Sequence, residues 1–455
     1  ASETNVLPTY LRDTGLTLTN GYHYYFDRVE VRGSAVLKGM PADIGAETNV
    51  AKLRTKYLTG DGSATVAVVA QNELVLDDFP ASSNALTIAT VKIVIETAST
   101  ATQASGALRT PAALTIDSTM RCDIYGELHG VTDLIVQNGA SMHFNPTAKT
   151  TSLADAAFSF NSLKVDTGAH VSFPPGAVDV TTTLEIIGTD SGSIPSKISF
   201  TGQIEITVAE LSIDVGTSLT GEGGGMARDT GTGLNSAQGS GGSHGGIGGR
   251  AFTVTGVIDG AATVTELATG PSYGSVFEPT TLGSGGKSGS HAFYAGAGGS
   301  ALKLVVSGTF TLNGEIDVSG GRGTDATSSS SYYAGGGGSG GSAWINAQGT
   351  LVIGDNALIK ANGGGRGYSA YQGSACSRCG GEGGGGRISL SCGTSTESDS
   401  ALRAVFHNSG GVIASTGLHD TLKSGWGRGG AGTTYVNCAT TGTSLLNTLI
   451  VDNVI

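Results

Sequence analysis

The sequence predicts an all-β fold: a parallel β-helix, or β-solenoid, with long ordered glycine-rich loops, preceded by a small β-rich N-terminal domain. Three observations lead to this prediction. Glycine supplies 75 of the 455 residues, and only 14% of the residues are charged, against about 25% in an ordinary globular domain. Short runs rich in Val, Ile, Thr and Ser favour strands over helices. Similar phrases recur along the chain, which is typical of repeat architectures.

The first part of the chain, residues 1–105, is predicted to form the β-rich N-terminal domain. Strand-like runs such as residues 22–32 alternate with turn signals such as Asn20-Gly21 and Gly33, a spacing typical of all-β domains. Residues 51–57 are compatible with a short helix. The Ser/Thr/Ala-rich residues 98–106 mark the predicted domain boundary.

Residues 106–220 are predicted to form the rungs of a β-helix. The phrase LIVQNGASMHF at 134–144 matches LKVDTGAHVSF at 163–173, and LSIDVGTSL at 211–219 is a looser copy. Each phrase has a short alternating strand, a polar step, a glycine, a small residue and a second alternating strand. The glycine supplies a corner with positive φ, and stacked copies would close each other's edges.

Residues 221–455 are predicted to form a glycine-rich β-solenoid. The phrase GGSALKLVVSGTFTLNGEIDVSGGRG at 298–323 returns as GGSAWINAQGTLVIGDNALIKANGGGRG at 340–367, a repeat of about 42–44 residues. The glycine-rich loops carry aromatic residues at similar places, so we predict ordered loops in which aromatic rings cover exposed peptide. The candidate loop-packing residues are Tyr294, Tyr332, Tyr333, Trp344, Tyr368, Tyr371 and Trp426.

The five cysteines predict two disulfides in the last third of the chain. In a secreted protein, Cys376, Cys379, Cys392 and Cys438 would pair among themselves, with the connectivity left open. A zinc site built on Cys376 and Cys379 is the competing interpretation, and it lacks a second CxxC or a histidine pair. Cys122 is predicted to be a buried, small apolar residue, with an intermolecular bond as the alternative.

Charge and motif spacing argue against several classes of function. The net charge is −12, and no Lys/Arg cluster offers the basic surface that nucleic acid requires. No apolar run reaches the ~18 residues of a membrane span. The string at 283–288 resembles part of a phosphate-binding loop, but Thr281 stands where its first glycine belongs. We assign no catalytic, cofactor-binding or metal-binding residue and expect no cofactor and no enzyme.

The chain ends carry two further expectations. The sequence begins with Ala1 in place of Met, which fits a mature protein whose secretory signal was removed, so we expect an extracellular location. Residues 449–455 are apolar and strand-like, which predicts pairing with a further segment or another subunit.

The repeated Gly-Gly-Ser-Ala phrases at 298–301 and 340–343, each closing with Gly-Gly-Arg-Gly, resemble the glycine-rich regions of protist extracellular structural proteins. The resemblance is greatest to the tubular flagellar-hair (mastigoneme) proteins of heterokont algae, over roughly residues 200–440. It implies a secreted protomer at the cell or flagellar surface that polymerises into a filament, tubule or surface layer. Its partners would be copies of itself, with other extracellular structural proteins and glycans.

Two other functions remain open at this stage. A surface adhesin or carbohydrate-binding β-helix would use the loop Tyr and Trp side chains as sugar platforms. A polysaccharide lyase or hydrolase would need several acidic residues with a basic partner on one face. The only adjacent acidic pair, Asp77-Asp78, precedes Phe79-Pro80, where a solvated turn is the simpler interpretation.

Overall fold

The computed structural model confirms the all-β prediction. It describes eight strands before residue 96, and then residues 107–110, 112–117, 121–145, 149–150, 158–188, 194–258, 261–290, 293–326, 332–368, 378–410, 427–440 and 446–451. Within these residues one short helix occurs, α1 (Asp399–Ala404), and no helix is long and apolar enough to cross a membrane. The chain divides into two compact units, residues 1–172 with 191–194, and residues 173–190 with 195–455. The sequence-predicted boundaries near residues 105 and 220 stay predictions.

Parallel strand pairs build the first unit. Its strands are β1 (Leu16–Leu18), β2 (His23–Val31), β3 (Val36–Pro41), β4 (Ala51–Gly60), β5 (Thr65–Val68), β6 (Asn72–Leu76), β7 (Ala85–Ala89), β8 (Lys92–Ile95), β9 (Ala107–Arg109), β10 (Ala113–Asp117), β11 (Arg121–Ile124), β12 (Glu127–His129), β13 (Asp133–Val136), β14 (Ser141–Phe144), β15 (Lys149–Thr150), β16 (Phe158–Val165) and β17 (His170–Phe173). One parallel series runs β1–β3–β5–β8–β11–β14–β17. A second holds β7–β10–β13–β16.

The repeated phrase of the first unit stacks in register. Leu134 pairs with Leu163, and Ser141 pairs with His170 in the next strand of each copy. The corner glycines have positive φ, 75° at Gly139 and 77° at Gly168. The two strands of each phrase therefore lie on different sheets, because a glycine corner turns the chain between them.

The short helix considered for residues 51–57 is wrong, because these residues belong to strand β4. This strand pairs in parallel with β2 on one side and β6 on the other. Thr55 and Leu58 are buried, with 0% and 4% exposure. The helix-forming residue types in this segment are overridden by tertiary pairing on both edges.

The described strands of the second unit form two parallel series and three antiparallel pairings. Its strands are β18 (Gly176–Ile186), β19 (Lys197–Phe200), β20 (Gln203–Ile213), β21 (Ser218–Thr220), β22 (Phe252–Ile258), β23 (Ala261–Glu266), β24 (Ala301–Val306), β25 (Phe310–Leu312), β26 (Glu315–Asp317), β27 (Ser342–Ile353), β28 (Leu358–Lys360), β29 (Arg378–Cys379), β30 (Arg387–Ser395), β31 (Phe406–His407), β32 (Thr433–Thr440) and β33 (Leu446–Ile450). The parallel series are β18–β20–β24–β27–β30–β32 and β19–β21–β26–β28–β31. Strand β33 pairs antiparallel with β32, and β22 pairs antiparallel with β23 and β29.

The register of the sequence repeat differs by one residue from the alignment of the two phrases. The phrases place Ala301 opposite Ala343, whereas the strands place Leu302 opposite Ala343 and Lys303 opposite Trp344. Burial explains the register, because it aligns the inward side chains of β24 with those of β27. A slip of one residue would have turned every inward side chain outward.

Candidate functional site: an array of packed glycine segments

The most distinctive region of the second unit is a bundle of glycine-rich segments that lie between the strands. Residues 335–341, which lead into β27, form the central segment, and all seven of these residues are buried. Six neighbouring segments surround it in the described part of the unit: 239–242, 283–287, 295–300, 318–324, 361–367 and 380–386. We call this set the glycine array.

The central segment donates its backbone hydrogen bonds to three neighbours in rotation. Gly338 and Gly341 donate to segment 318–324, Gly336 and Ser339 to segment 283–287, and Gly337 and Gly340 to segment 380–386. The central segment therefore contacts each of these three neighbours once every three residues. A period of three belongs to the polyproline II type of helix, which has three residues per turn and no internal hydrogen bonds.

The other three neighbours donate to the central segment. Gly296 and Gly299 bond to it from segment 295–300, Gly364 and Gly367 from segment 361–367, and Gly242 from segment 239–242. The six outer segments are also bonded to one another around the ring, for example Gly321 to Ala297 and Gly383 to Gly364. The array is therefore a hexagonal packing of extended helices in which backbone groups, buried from water, satisfy each other.

Close approach of backbones explains why the sequence uses glycine here. A β-carbon added to Gly337 would lie less than 3.0 Å from the carbonyl oxygen of Gly364, and one added to Gly338 would meet that of Ala297 equally closely. Ser339 is the only other residue type in the central segment. Its hydroxyl accepts from the Ser284 amide at 2.8 Å and lies 3.3 Å from the Ser284 carbonyl oxygen. In the central segment, the one side chain present takes the place of a backbone partner.

A buried histidine joins the array to a neighbouring loop. The side chain of His244 is fully buried; its Nδ1 lies 2.9 Å from the Gly340 carbonyl oxygen and its Nε2 lies 2.8 Å from Thr281 Oγ1. A carbonyl can only accept, so Nδ1 carries the proton and Nε2 accepts from the threonine hydroxyl. Burial, together with the nearby Arg387 guanidinium, lowers the pKa of His244 to about 4. The imidazole is therefore neutral at pH 7.

A buried carboxyl on β26 was not among the residues that the sequence patterns singled out. Asp317 is 8% exposed, and burial raises the pKa of its carboxyl, as does the neighbouring Glu315. The Ser319 amide donates to Asp317 Oδ1 at 2.8 Å, and Lys360 pairs with Glu315 at 2.9 Å. The alternating sequence Glu315-Ile316-Asp317 was the pattern from which this carboxyl could have been predicted. Because Asp317 is buried, its carboxyl is poorly placed to meet a polymeric substrate.

The described loop-packing candidates contact cations or other aromatic rings. Tyr294 lies under the Arg228 guanidinium at 3.8 Å, and Tyr333 lies under that of Arg378 at 5.4 Å. The remaining contacts involve Tyr332 with Phe293, and Tyr368 with Arg322 and Arg366. Trp344 belongs to β27 and not to a glycine loop; Lys303 Nζ lies 5.0 Å from its ring centroid. Tyr371 and Trp426 lie outside the described residues.

The cysteine predictions have different outcomes. Cys392 and Cys438 form a disulfide between the adjacent strands β30 and β32, where they are register partners with Cα atoms 4.6 Å apart. Cys379 is buried and disulfide-bonded, whereas Cys376 lies outside the described residues. Cys122 is a buried free thiol whose pKa is raised by burial. No cluster of three or more metal-ligating side chains occurs among the residues that the structure describes.

Comparison of the chain with protein-family models, with curated proteins and with solved structures finds no match.

Proposed function

We propose that this chain is an extracellular structural protein, built as a β-solenoid, whose copies polymerise into a filament, tubule or surface layer of the mastigoneme kind. It acts without turnover and without a cofactor. Its partners are copies of itself, with other extracellular structural proteins and glycans around them.

The glycine array is the observation that carries this proposal. Four glycine segments lead directly into successive strands of one parallel series: 295–300 into β24, 335–341 into β27, 380–386 into β30 and 427–432 into β32. A chain that orders this much backbone loses roughly 1–2 kcal/mol of conformational entropy per residue. Such ordering suits a protein whose rigidity is itself useful, since a soluble enzyme needs it only around a site.

Two further features support assembly outside the cell. The Cys392–Cys438 disulfide suits an oxidising compartment. Strand β33 carries no charged residue and presents Leu449 with 56% exposure; unprotected strands of this kind pair readily with further chains. Exposed apolar strands at a sheet boundary are a route to ordered polymers when the surrounding body is rigid.

Electron microscopy of the purified protein tests the proposal. We expect regular filaments, tubules or sheets, and we expect Leu449→Lys to reduce their formation while leaving the protomer folded. Val215→Lys is the matched control, because Val215 is also apolar and exposed, at 45%. A dispersed monomer under all assembly conditions would contradict the proposal. Measurable turnover of pectin, alginate or a similar polymer would replace it with the hydrolase or lyase alternative.

A further inference from the structure

We propose that the second unit carries a binding site for acidic polysaccharide on the arginine–tyrosine strip, which consists of Arg228, Tyr294, Arg322, Thr324, Asp325 and Tyr368. This binding is separate from polymerisation, because it requires only one folded protomer. It gives the carbohydrate-binding alternative a definite location and a definite class of ligand.

Ring contacts, hydrogen bonds and an ion pair join the residues of the arginine–tyrosine strip to one another. The Arg228 guanidinium lies 3.8 Å from the centroid of the Tyr294 ring, and the Tyr294 carbonyl oxygen accepts from both the amide and the hydroxyl of Thr324. Asp325, the next residue, accepts from the Tyr368 amide at 2.8 Å. Arg322 pairs with Asp325 and lies 5.7 Å from the Tyr368 ring. Two arginine–tyrosine pairs are therefore joined through residues 324–325.

The strip is open to solvent. Tyr294 is 44% exposed, and the side chains of Arg322 and Asp325 are 44% and 42% exposed. Tyr294 and Tyr368 adjoin segments 295–300 and 361–367, which flank segment 318–324 on either side, so their backbones are on the order of 10 Å apart at sheet-like spacing. That distance is comparable to two sugar rings of an extended polysaccharide, so one chain can meet both pairs.

The chemistry of the strip selects an anionic ligand. Arg228 is exposed, and no carboxylate lies within ion-pair distance of it among the described residues. The adjacent Asp229 is already engaged by Lys287 at 3.2 Å and by Ser288. A guanidinium stacked on an aromatic ring keeps the N–H groups at its edge free for two-point contact with a carboxylate or sulfate. This cation stands out on a chain whose net charge is −12.

Repeated weak contacts suit a polymer better than a single sugar. The Arg228–Tyr294 pair offers one charge-assisted contact and one aromatic edge, whereas Arg322 is paired with Asp325 and the second pair adds the Tyr368 ring. Linked contacts raise the overall affinity through effective concentration. A planar uronate carboxylate and a tetrahedral sulfate ester can each offer two anionic oxygens to one guanidinium, so the site chemistry is shared between carboxylated and sulfated chains. The binding experiment distinguishes carboxylated chains from sulfated chains.

Affinity measurements on protomer kept below its assembly concentration test the site. The probes are a polyuronate, a sulfated polysaccharide and a neutral β-glucan of similar length. We expect one or both anionic probes to bind, with an affinity that falls as salt rises, and the neutral probe to bind at least tenfold more weakly. Arg228→Gln should lower anionic affinity about tenfold, the usual scale for a lost charged hydrogen bond. Arg250→Gln is the matched control, because Arg250 is equally an exposed arginine, ion-paired with Glu266.

The outcomes separate the explanations. Loss of binding in Arg228→Gln and Tyr294→Ala, with Arg250→Gln unchanged, supports the site, and the preferred anionic probe identifies the ligand as carboxylated or sulfated. Arg228→Lys provides a folded variant that keeps the charge and removes the two-point geometry, and it should show an intermediate loss. Any one of three results overturns the proposal. The first is equal affinity of the wild type, Arg228→Lys and Arg228→Gln for the anionic probes; the second is no binding to either anionic probe; the third is equal binding of the neutral glucan. Filament formation is scored separately, so failure here leaves the structural role standing.

Discussion

A single added methyl group in the central segment should destabilise the second unit measurably. In Gly338→Ala the new β-carbon lies less than 3.0 Å from the carbonyl oxygen of Ala297, and this oxygen belongs to a backbone that is bonded on several sides. Overpacking of this kind costs about 1–3 kcal/mol, while the lost flexibility of the unfolded chain returns only about 0.4–1 kcal/mol. We expect a net loss of about 1 kcal/mol, or about 2–4 °C in Tm.

Gly321→Ala is the matched control for this prediction. Its β-carbon would face the same residue, Ala297, but at 3.3 Å from the nearest atom, the amide nitrogen, with no positive φ to strain. We expect its Tm to shift by less than half as much as that of Gly338→Ala. Thermal unfolding followed by circular dichroism gives the Tm of both variants, and urea unfolding gives their free energies of unfolding. If the two variants unfold at the same urea concentration as wild type, the glycine segments are not packed as described and the reasoning fails.

Three further predictions concern the covalent and titratable groups. Reduction of the Cys392–Cys438 disulfide, which spans 46 residues, should remove about 4 kcal/mol of loop-closure stabilisation, seen as a lower urea midpoint with reductant than without. The folded-state pKa of His244, about 4, lies below its ordinary value of 6.5, so stability should be complete above pH 6.5 and fall by about 3 kcal/mol towards pH 4; His244→Gln should remove this part of the pH profile. The pKa of Asp317 is shifted the other way, so Asp317→Asn should stabilise the protein at pH 8 more than at pH 4, and an equal effect at both pH values would contradict the assigned burial.

The strand content of the fold was predictable because it depends on local patterns. Alternation identified β13, β14 and β16, and the glycine corners at Gly139 and Gly168 followed from the matched phrases. Pairing was less accessible to the sequence. Residues 51–57 carry good helix formers and still form a strand, because β2 and β6 supply hydrogen bonds on both edges. The one-residue register of β24 on β27 likewise depends on which side chains share the core, and phrase alignment contains no such information.

The sequence predicted that the glycine-rich loops are ordered, but it did not predict how the segments of the glycine array pack together. Aromatic residues in phase with the strands predicted that the loops are ordered, but a glycine run carries no side-chain pattern from which to derive its neighbours. The pairing of Ser339 with Ser284 depends on two residues 55 positions apart. The buried positions of His244 and Asp317 were hidden for a similar reason, since each is covered by backbone from distant segments.

The strands and the glycine segments fit together because the same kind of backbone hydrogen bond sets the lateral spacing of both. Backbone N–H···O=C bonds hold neighbouring strands about 4.8 Å apart, and the same bonds join the segments of the array. A segment can therefore leave the array and enter a parallel series without a change in lateral spacing, as residues 335–341 do at Ser342. Within the repeat, the step between paired residues of successive strands is 41 residues from Ala301 to Ser342 and 43 from Ile316 to Ile359. Each repeat must be long enough to contribute strands to the series and glycine segments to the array, and a shorter repeat would leave one of the two with unpaired backbone.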